Sequence, residues 1–165
     1  MRTGLPLLLV GLATAAGLLR RSLVLVTVQG ASMEPTYHHG DRVLVRRTRA
    51  LSTGQVVVVE RPGPGNSWHH PSLPRGAGAV SVAGRQWMIK RVGGSPGDPV
   101  PRHVSHGQPV PKGHDPVPPD QVVPPGRLVL LGDNPDSSVD SRQLGYFPAA
   151  RVLGVVLGGT GAPMT

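Results

Sequence analysis

The sequence predicts a mainly β domain preceded by a single apolar N-terminal helix. Short runs of valine, leucine and isoleucine recur along the chain, and clusters of glycine and proline separate them. With 23 glycines and 19 prolines in 165 residues, this is the spacing of short strands joined by turns. Thr3 to Leu19, in contrast, carries no charge and is rich in Leu, Ala, Gly and Val. With only one Phe, two Tyr and two Trp, the core must rest on aliphatic side chains.

The totals exclude several classes. The absence of cysteine rules out a thiol nucleophile, a disulfide framework and a cysteine-ligated metal. The formal net charge of +8 favours anionic partners such as lipid headgroups. The basic residues are dispersed, with a modest cluster at Arg42, Arg46, Arg47 and Arg49, and no aromatic residues are interleaved with them. Nucleic-acid binding is therefore not expected.

Taken in order, Thr3 to Leu19 is at the short end for a membrane span, and Arg20 and Arg21 mark an interface. The expected organisation is an anchor over residues 1–21 and a domain over 22–165. A cleavable secretory signal is the rival reading, with Leu5 to Leu12 as its apolar stretch and Ala13-Thr14-Ala15 as its cleavage site. Positive charge lies mainly after the span, which by the positive-inside rule holds the following domain in the cytoplasm.

Leu23 to Val28 reads as the first strand, Arg42 to Arg46 as the second and Gln55 to Val59 as the third. The unbroken valines of the third predict burial on both faces. Arg61 to Gly84 reads as a loop. Gln86 to Val92 is the next strand, and Gly93 begins a turn out of it. Pro99 to Gly126 is proline-rich and irregular. Leu128 to Leu131 is a short buried strand, and Val152 to Leu157 is a final strand before a glycine-rich tail.

Three stretches carry possible chemistry. In Gly30-Ala31-Ser32-Met33-Glu34-Pro35-Thr36, Ser32 is expected where a strand ends, with Pro35 forcing the chain out of it. Such a serine can face a cleft, although a serine near Gly and Pro is commonly a turn residue. In Trp87-Met88-Ile89-Lys90-Arg91-Val92, alternation puts Lys90 on one strand face between Met88 and Val92. Apolar burial lowers a lysine pKa and permits the amine to act as a base. The plainer reading is an edge-strand lysine that discourages aggregation. Arg91, on the opposite face, suits a structural ion pair. The third stretch is Gly132-Asp133-Asn134-Pro135-Asp136-Ser137-Ser138-Val139-Asp140-Ser141-Arg142. It reads as a hydrogen-bonded loop in which Asp140 and Arg142 form an ion pair. Its carboxylate spacing does not match a calcium-binding EF-hand. The histidines, His38-His39, His69-His70, His103 and His106, read as exposed loop residues, and no metal site is expected.

These stretches occur in the order seen in the type I signal peptidases, which the chain resembles from about Val26 to Gly154. The resembling blocks are GASMEPT at 30–36, GDRVLV at 40–45, IKRVGGSPGD at 89–98, and GDNPDSSVDSR with GYFP across 132–148. The resemblance implies a signal-peptidase-like β-rich catalytic domain that removes signal (leader) peptides from exported precursors. It implies Ser32 as nucleophile, Lys90 as general base, Ser138 as the hydroxyl that orients the lysine, and the Ser32 backbone N–H in an oxyanion hole. It implies Val28, Met88 and Ile89 as substrate-binding residues, precursors with small residues before the cleavage site as partners, and no metal or cofactor. It also implies a single-pass protein of the cell membrane with its catalytic domain extracytoplasmic, opposite to the cytoplasm-facing orientation that the charges favour. Compact relatives that mature one dedicated precursor, such as a nickel superoxide dismutase, are an alternative, as is an inactive basic relative that binds membrane. The chain departs from the pattern at Gly30, where some members carry a serine, at Ser137, which replaces an asparagine, and at Gln55, which replaces an aspartate.

Overall fold

The computed structural model describes residues 22–64, 67–74, 76–105 and 121–160. Seven antiparallel strands form one sheet: β1 (Leu23–Thr27), β2 (Arg42–Arg46), β3 (Val56–Glu60), β4 (Trp87–Gly94), β5 (Arg127–Leu131), β6 (Phe147–Pro148) and β7 (Val152–Thr160). Their spatial order is β1-β2-β7-β3-β4-β5-β6, so the last strand is inserted between the second and third. Short helices α1 (Ala79–Ala83), α2 (Arg102–Ser105) and α3 (Ser141–Leu144) sit in the connections.

The valine run of β3 explains how the sheet is filled. Val56 and Val58 belong to one apolar cluster with Val28, Met33, Val43, Val45, Ile89 and Leu153. Val57 and Val59 belong to another, on the opposite face, with Val92, Leu128, Leu130, Phe147, Val152 and Val155. Val56 to Val59 are all buried, as the unbroken valines predict, and the charged Glu60 that ends β3 is buried as well, against Arg85 and Arg151. Each such valine contributes about 1.5–3 kcal/mol relative to an exposed one. A third cluster of Val100, Val104, Val123, Val129 and Tyr146 covers the β5 end.

Several sequence expectations need correction. The stretch 61–84 is not wholly loop, because α1 forms within it and Val82 packs on the first cluster. The strand at 86–92 runs on to Gly94, and the strand at 152–157 runs on to Thr160. Both extensions use glycine because the sheet is tight there. A Cβ on Gly94 would meet Val123 at 3.0 Å, and one on Gly159 would meet Val43 at 2.9 Å. In the sequence these glycines read as terminators, but close packing here makes glycine a requirement. The two-residue β6 and helix α3 were too short to carry a periodic signal. The first strand ends at Thr27, five positions before Ser32, so Pro35 is not what stops it.

Among the described residues no helix is long and apolar enough to cross a membrane. The expected anchor, residues 1–21, lies outside them.

Candidate active site

Ser32 lies in the turn that joins β1 to β2. The turn is closed by Glu34 N–H donating to the Ala31 carbonyl (3.2 Å) and Tyr37 N–H donating to the Met33 carbonyl (2.9 Å). Met33 is fully buried and pins it to the core. Gly30 has φ +84°, in the left-handed region that a side chain strains. Its N–H donates to His39 Nδ1 at 3.2 Å. A serine at this position would have open space around its Cβ but an unfavourable backbone, which accounts physically for the departure at Gly30.

Lys90 sits on β4 at 3 % exposure. An amine this buried cannot guard an exposed edge, so the aggregation-guard reading fails. Lys90 shares a face of β4 with Met88 and Val92 of the second cluster, and Nζ donates to Ser138 Oγ at 3.0 Å. Burial pushes the Lys90 pKa down from 10.5 to about 8; Asp140 opposes the shift, while the Arg142 and Arg61 charges reinforce it.

The Ser138 hydroxyl in turn donates to Asp140 Oδ2 at 2.6 Å. Asp140 is completely buried and fully subscribed. It accepts from Gly132 N–H at 2.8 Å, from Arg142 N–H at 3.1 Å, and from both Arg142 Nε (2.9 Å) and NH2 (2.5 Å). Desolvation alone would raise its carboxyl, but the bonds from Arg142, Gly132 and Ser138 outweigh that and hold it below the usual carboxylate range. Gln143 closes the motif by accepting the Asp140 N–H at 3.0 Å, the reciprocal arrangement of a capping box at the start of α3.

The same loop holds the serine turn. Asn134 N–H donates to the Ser32 carbonyl at 3.1 Å, and Thr36 Oγ1 donates to Asp133 Oδ2 at 2.5 Å. Arg91, on the face of β4 opposite Lys90, grips Asp133 through Nε (2.8 Å) and NH2 (2.6 Å). Gly132 is the pivot: a Cβ there would lie 2.2 Å from Ser138 Oγ and 2.6 Å from the Ser32 carbonyl oxygen. No other residue fits between the two segments. The need for Gly132, and the roles of Thr36 and Asp133, were not read from the sequence; the adjacent Gly-Asp pair was the available signal. Gln55 accepts the Ser52 N–H at 3.0 Å and so serves the turn before β3.

Ser32 and Lys90 line one cleft of about 1180 Å³, together with Val28, Met88, Ile89, Ser137 and Val139. The cleft is bordered by unpaired strand edge. β5 pairs with β4 only from Arg91 onward, leaving residues 87–90 with one edge free of a strand partner, and β1 is the terminal strand of the sheet. His38, His39, His69 and His70 are exposed; His106 lies outside the described residues. Among the described residues no group of three His, Cys, Asp or Glu converges on a metal position.

The family model for signal peptidase, peptidase S26, matches residues 2–108 and 102–158. Signal peptidase I of Leptolyngbya laminosa is 29% identical over 140 residues, covering 77% of this chain and 63% of that protein. This chain therefore spans less than two thirds of that relative's length. The probable signal peptidase I-1 of Synechocystis sp. is 29% identical over 175 aligned positions, covering 95% of this chain and 81% of that protein.

Proposed function

The chain belongs to the signal peptidase family, peptidase S26, and from that membership we propose that it is a Ser–Lys endopeptidase that removes signal peptides from exported precursors. The observation that carries the reading is the buried Lys90 amine, lowered to about 8 and held 3.0 Å from Ser138 in the cleft it shares with Ser32. A neutral lysine has one lone pair and two N–H bonds. Donating one N–H to Ser138 fixes the amine and leaves its lone pair for the Ser32 proton. Ser32 Oγ attacks the peptide carbonyl as its proton passes to Lys90. The resulting ammonium protonates the leaving amine, and the acyl-enzyme forms. Lys90, neutral again, takes a proton from the water that attacks the ester and gives it to Ser32 Oγ as the ester C–O bond breaks, which regenerates the hydroxyl and the neutral amine. The Ser32 backbone N–H is the oxyanion donor in this reading.

The substrate binds as an added strand along the free edge of residues 87–90, with Val28, Met88 and Ile89 shaping pockets for small side chains. Residues 1–21 anchor the enzyme at the cell membrane, which raises the effective concentration of leader peptides at the cleft. The catalytic domain is extracytoplasmic in this reading. The test is incubation of a leader peptide ending in Ala-X-Ala with wild type and Lys90→Ala, read by mass spectrometry. Cleavage after the small residue by wild type alone is the expected result. Equal cleavage by both would remove Lys90 from the mechanism, and no cleavage by either would overturn the proposed activity.

A further inference from the structure

The ionisable side chains lining the cleft are all basic. They are Arg61, Arg85 and Lys90, and no Asp or Glu lines it among the described residues. The three differ in how far their charge is available. Lys90 is buried and its amine is readily neutralised. Arg85 is consumed by Glu60, at 2.8 Å. Arg61 is exposed at the rim and forms no ion pair among the described residues. Its charge nevertheless reaches into the cleft, where it acts on Lys90.

Its position along the cleft is fixed by the sheet. Arg61 follows the last residue of β3, and its N–H donates to the Gln86 carbonyl at 2.8 Å, extending the β3–β4 ladder beyond Trp87. Gln86 stands four positions before Lys90 in the chain. A peptide added along the free edge of residues 87–90 advances about 3.3 Å per residue, so it draws level with Arg61, which follows β3 on the far side of β4 and lines the same cleft, about four residues from the bond that lies at Lys90. Resting on the peptidase reading above, we propose that Arg61 is a specificity-determining residue that selects substrates with an acidic side chain at this distance on one side of the scissile bond.

The test uses the full chain and one leader peptide sequence. Glu, Gln or Lys is placed in turn three, four or five residues to either side of the cleaved bond. Binding is measured with Ser32→Ala and cleavage with the otherwise wild-type enzyme. The expected result is one position at which Glu is preferred over Gln by about fivefold or more, through KM and not kcat, with the preference shrinking at high salt. Arg61→Gln should abolish the preference, Arg61→Glu should reverse it towards Lys, and Arg61→Lys should keep it. Because Arg61 also influences Lys90, the Glu-to-Gln ratio is compared within each variant at one pH, which cancels any change in the base. Cleavage that ignores charge at every position overturns this inference and leaves the peptidase reading intact. A preference unchanged in Arg61→Gln also overturns it, and absence of both binding and cleavage overturns both readings. Loss of binding to phosphatidylglycerol vesicles in Arg61→Gln, with peptide preference unaltered, would assign the arginine to lipid instead.

Discussion

Of the three carboxylates in the loop from Gly132 to Arg142, two, Asp140 and Asp133, are each gripped through two nitrogens by an arginine. Their surroundings differ. The Asp140 side chain is 0% exposed and that of Arg142 is 17% exposed. Asp133 and Arg91 are at 14% and 36%, on the other face of β4. An ion pair taken out of water must be compensated at every lone pair, and Asp140 meets that demand with five donors. A half-solvated pair has no such demand and contributes mainly geometry. The buried pair therefore acts on Lys90 through two opposed charges, secondary to the burial of the amine, and the exposed pair ties the Ser32 turn to the loop.

The largest effect that would sharpen this contrast is expected from Asp140→Asn. It leaves a partly buried arginine without its counter-charge and should cost about 3–5 kcal/mol, together with most of the cleavage activity. Urea unfolding of Asp140→Asn beside Asp133→Asn is the direct comparison, and equal losses would erase the distinction.

Second in size is the Lys90 linkage. The folded pKa of about 8 lies below 10.5, so the unfolded chain binds the extra proton between those values. Stability should rise with pH across this window, by about 3 kcal/mol in all, and the rise should be missing from Lys90→Met. Cleavage should increase through about pH 8 as the amine loses its proton. A flat stability difference between the two proteins from pH 8 to 10.5 would show that burial does not act on Lys90 as described.

Gly132→Ala comes third. The methyl would sit 2.2 Å from Ser138 Oγ, so the hydroxyl must move from Lys90. Overpacking of this kind costs about 1–3 kcal/mol, and turnover should suffer more than peptide affinity. A variant with normal turnover would mean that the Ser138 contact is dispensable. The smallest effect is expected for Asp133→Asn, about 1 kcal/mol or less and diminishing with salt. Both aspartates titrate below the ordinary carboxylate range, so their contribution is present above that range and lost as pH falls through the folded values. Acid unfolding should be blunted more by Asp140→Asn than by Asp133→Asn.

Much of this arrangement was readable in the chain. Val56 to Val59 announce a strand buried on both faces because four adjacent apolar residues leave no face for water. Alternation puts Lys90 on one face with Met88 and Val92 but leaves an edge-strand lysine as the plainer reading, because burial depends on what the sheet packs against that face. Asp140 and Arg142, two positions apart, are close enough for their pairing to be local. What could not be read depends on contacts between distant segments. Gly132 is required by the approach of Ser138 and the Ser32 carbonyl, and Gly159 by Val43 and Tyr37; a single chain shows only a glycine. That Arg61 forms no ion pair among the described residues is similarly invisible, because the neighbouring Glu60 is taken by Arg85 and Arg151.

The hydrogen bonds that join the serine turn, β4 and the loop have a consequence for biosynthesis. Thr36 and Asp133 are 97 positions apart, and Lys90 and Ser138 are 48 apart. At about 5–20 residues per second, a ribosome that has released Thr36 needs roughly 5–20 s more to deliver Asp133. Throughout that interval the nascent polypeptide displays a serine with no oriented base. A protease built from contiguous residues would be armed while still tethered. In the mechanism proposed above, the base is oriented only once the loop from Gly132 to Arg142 has been made.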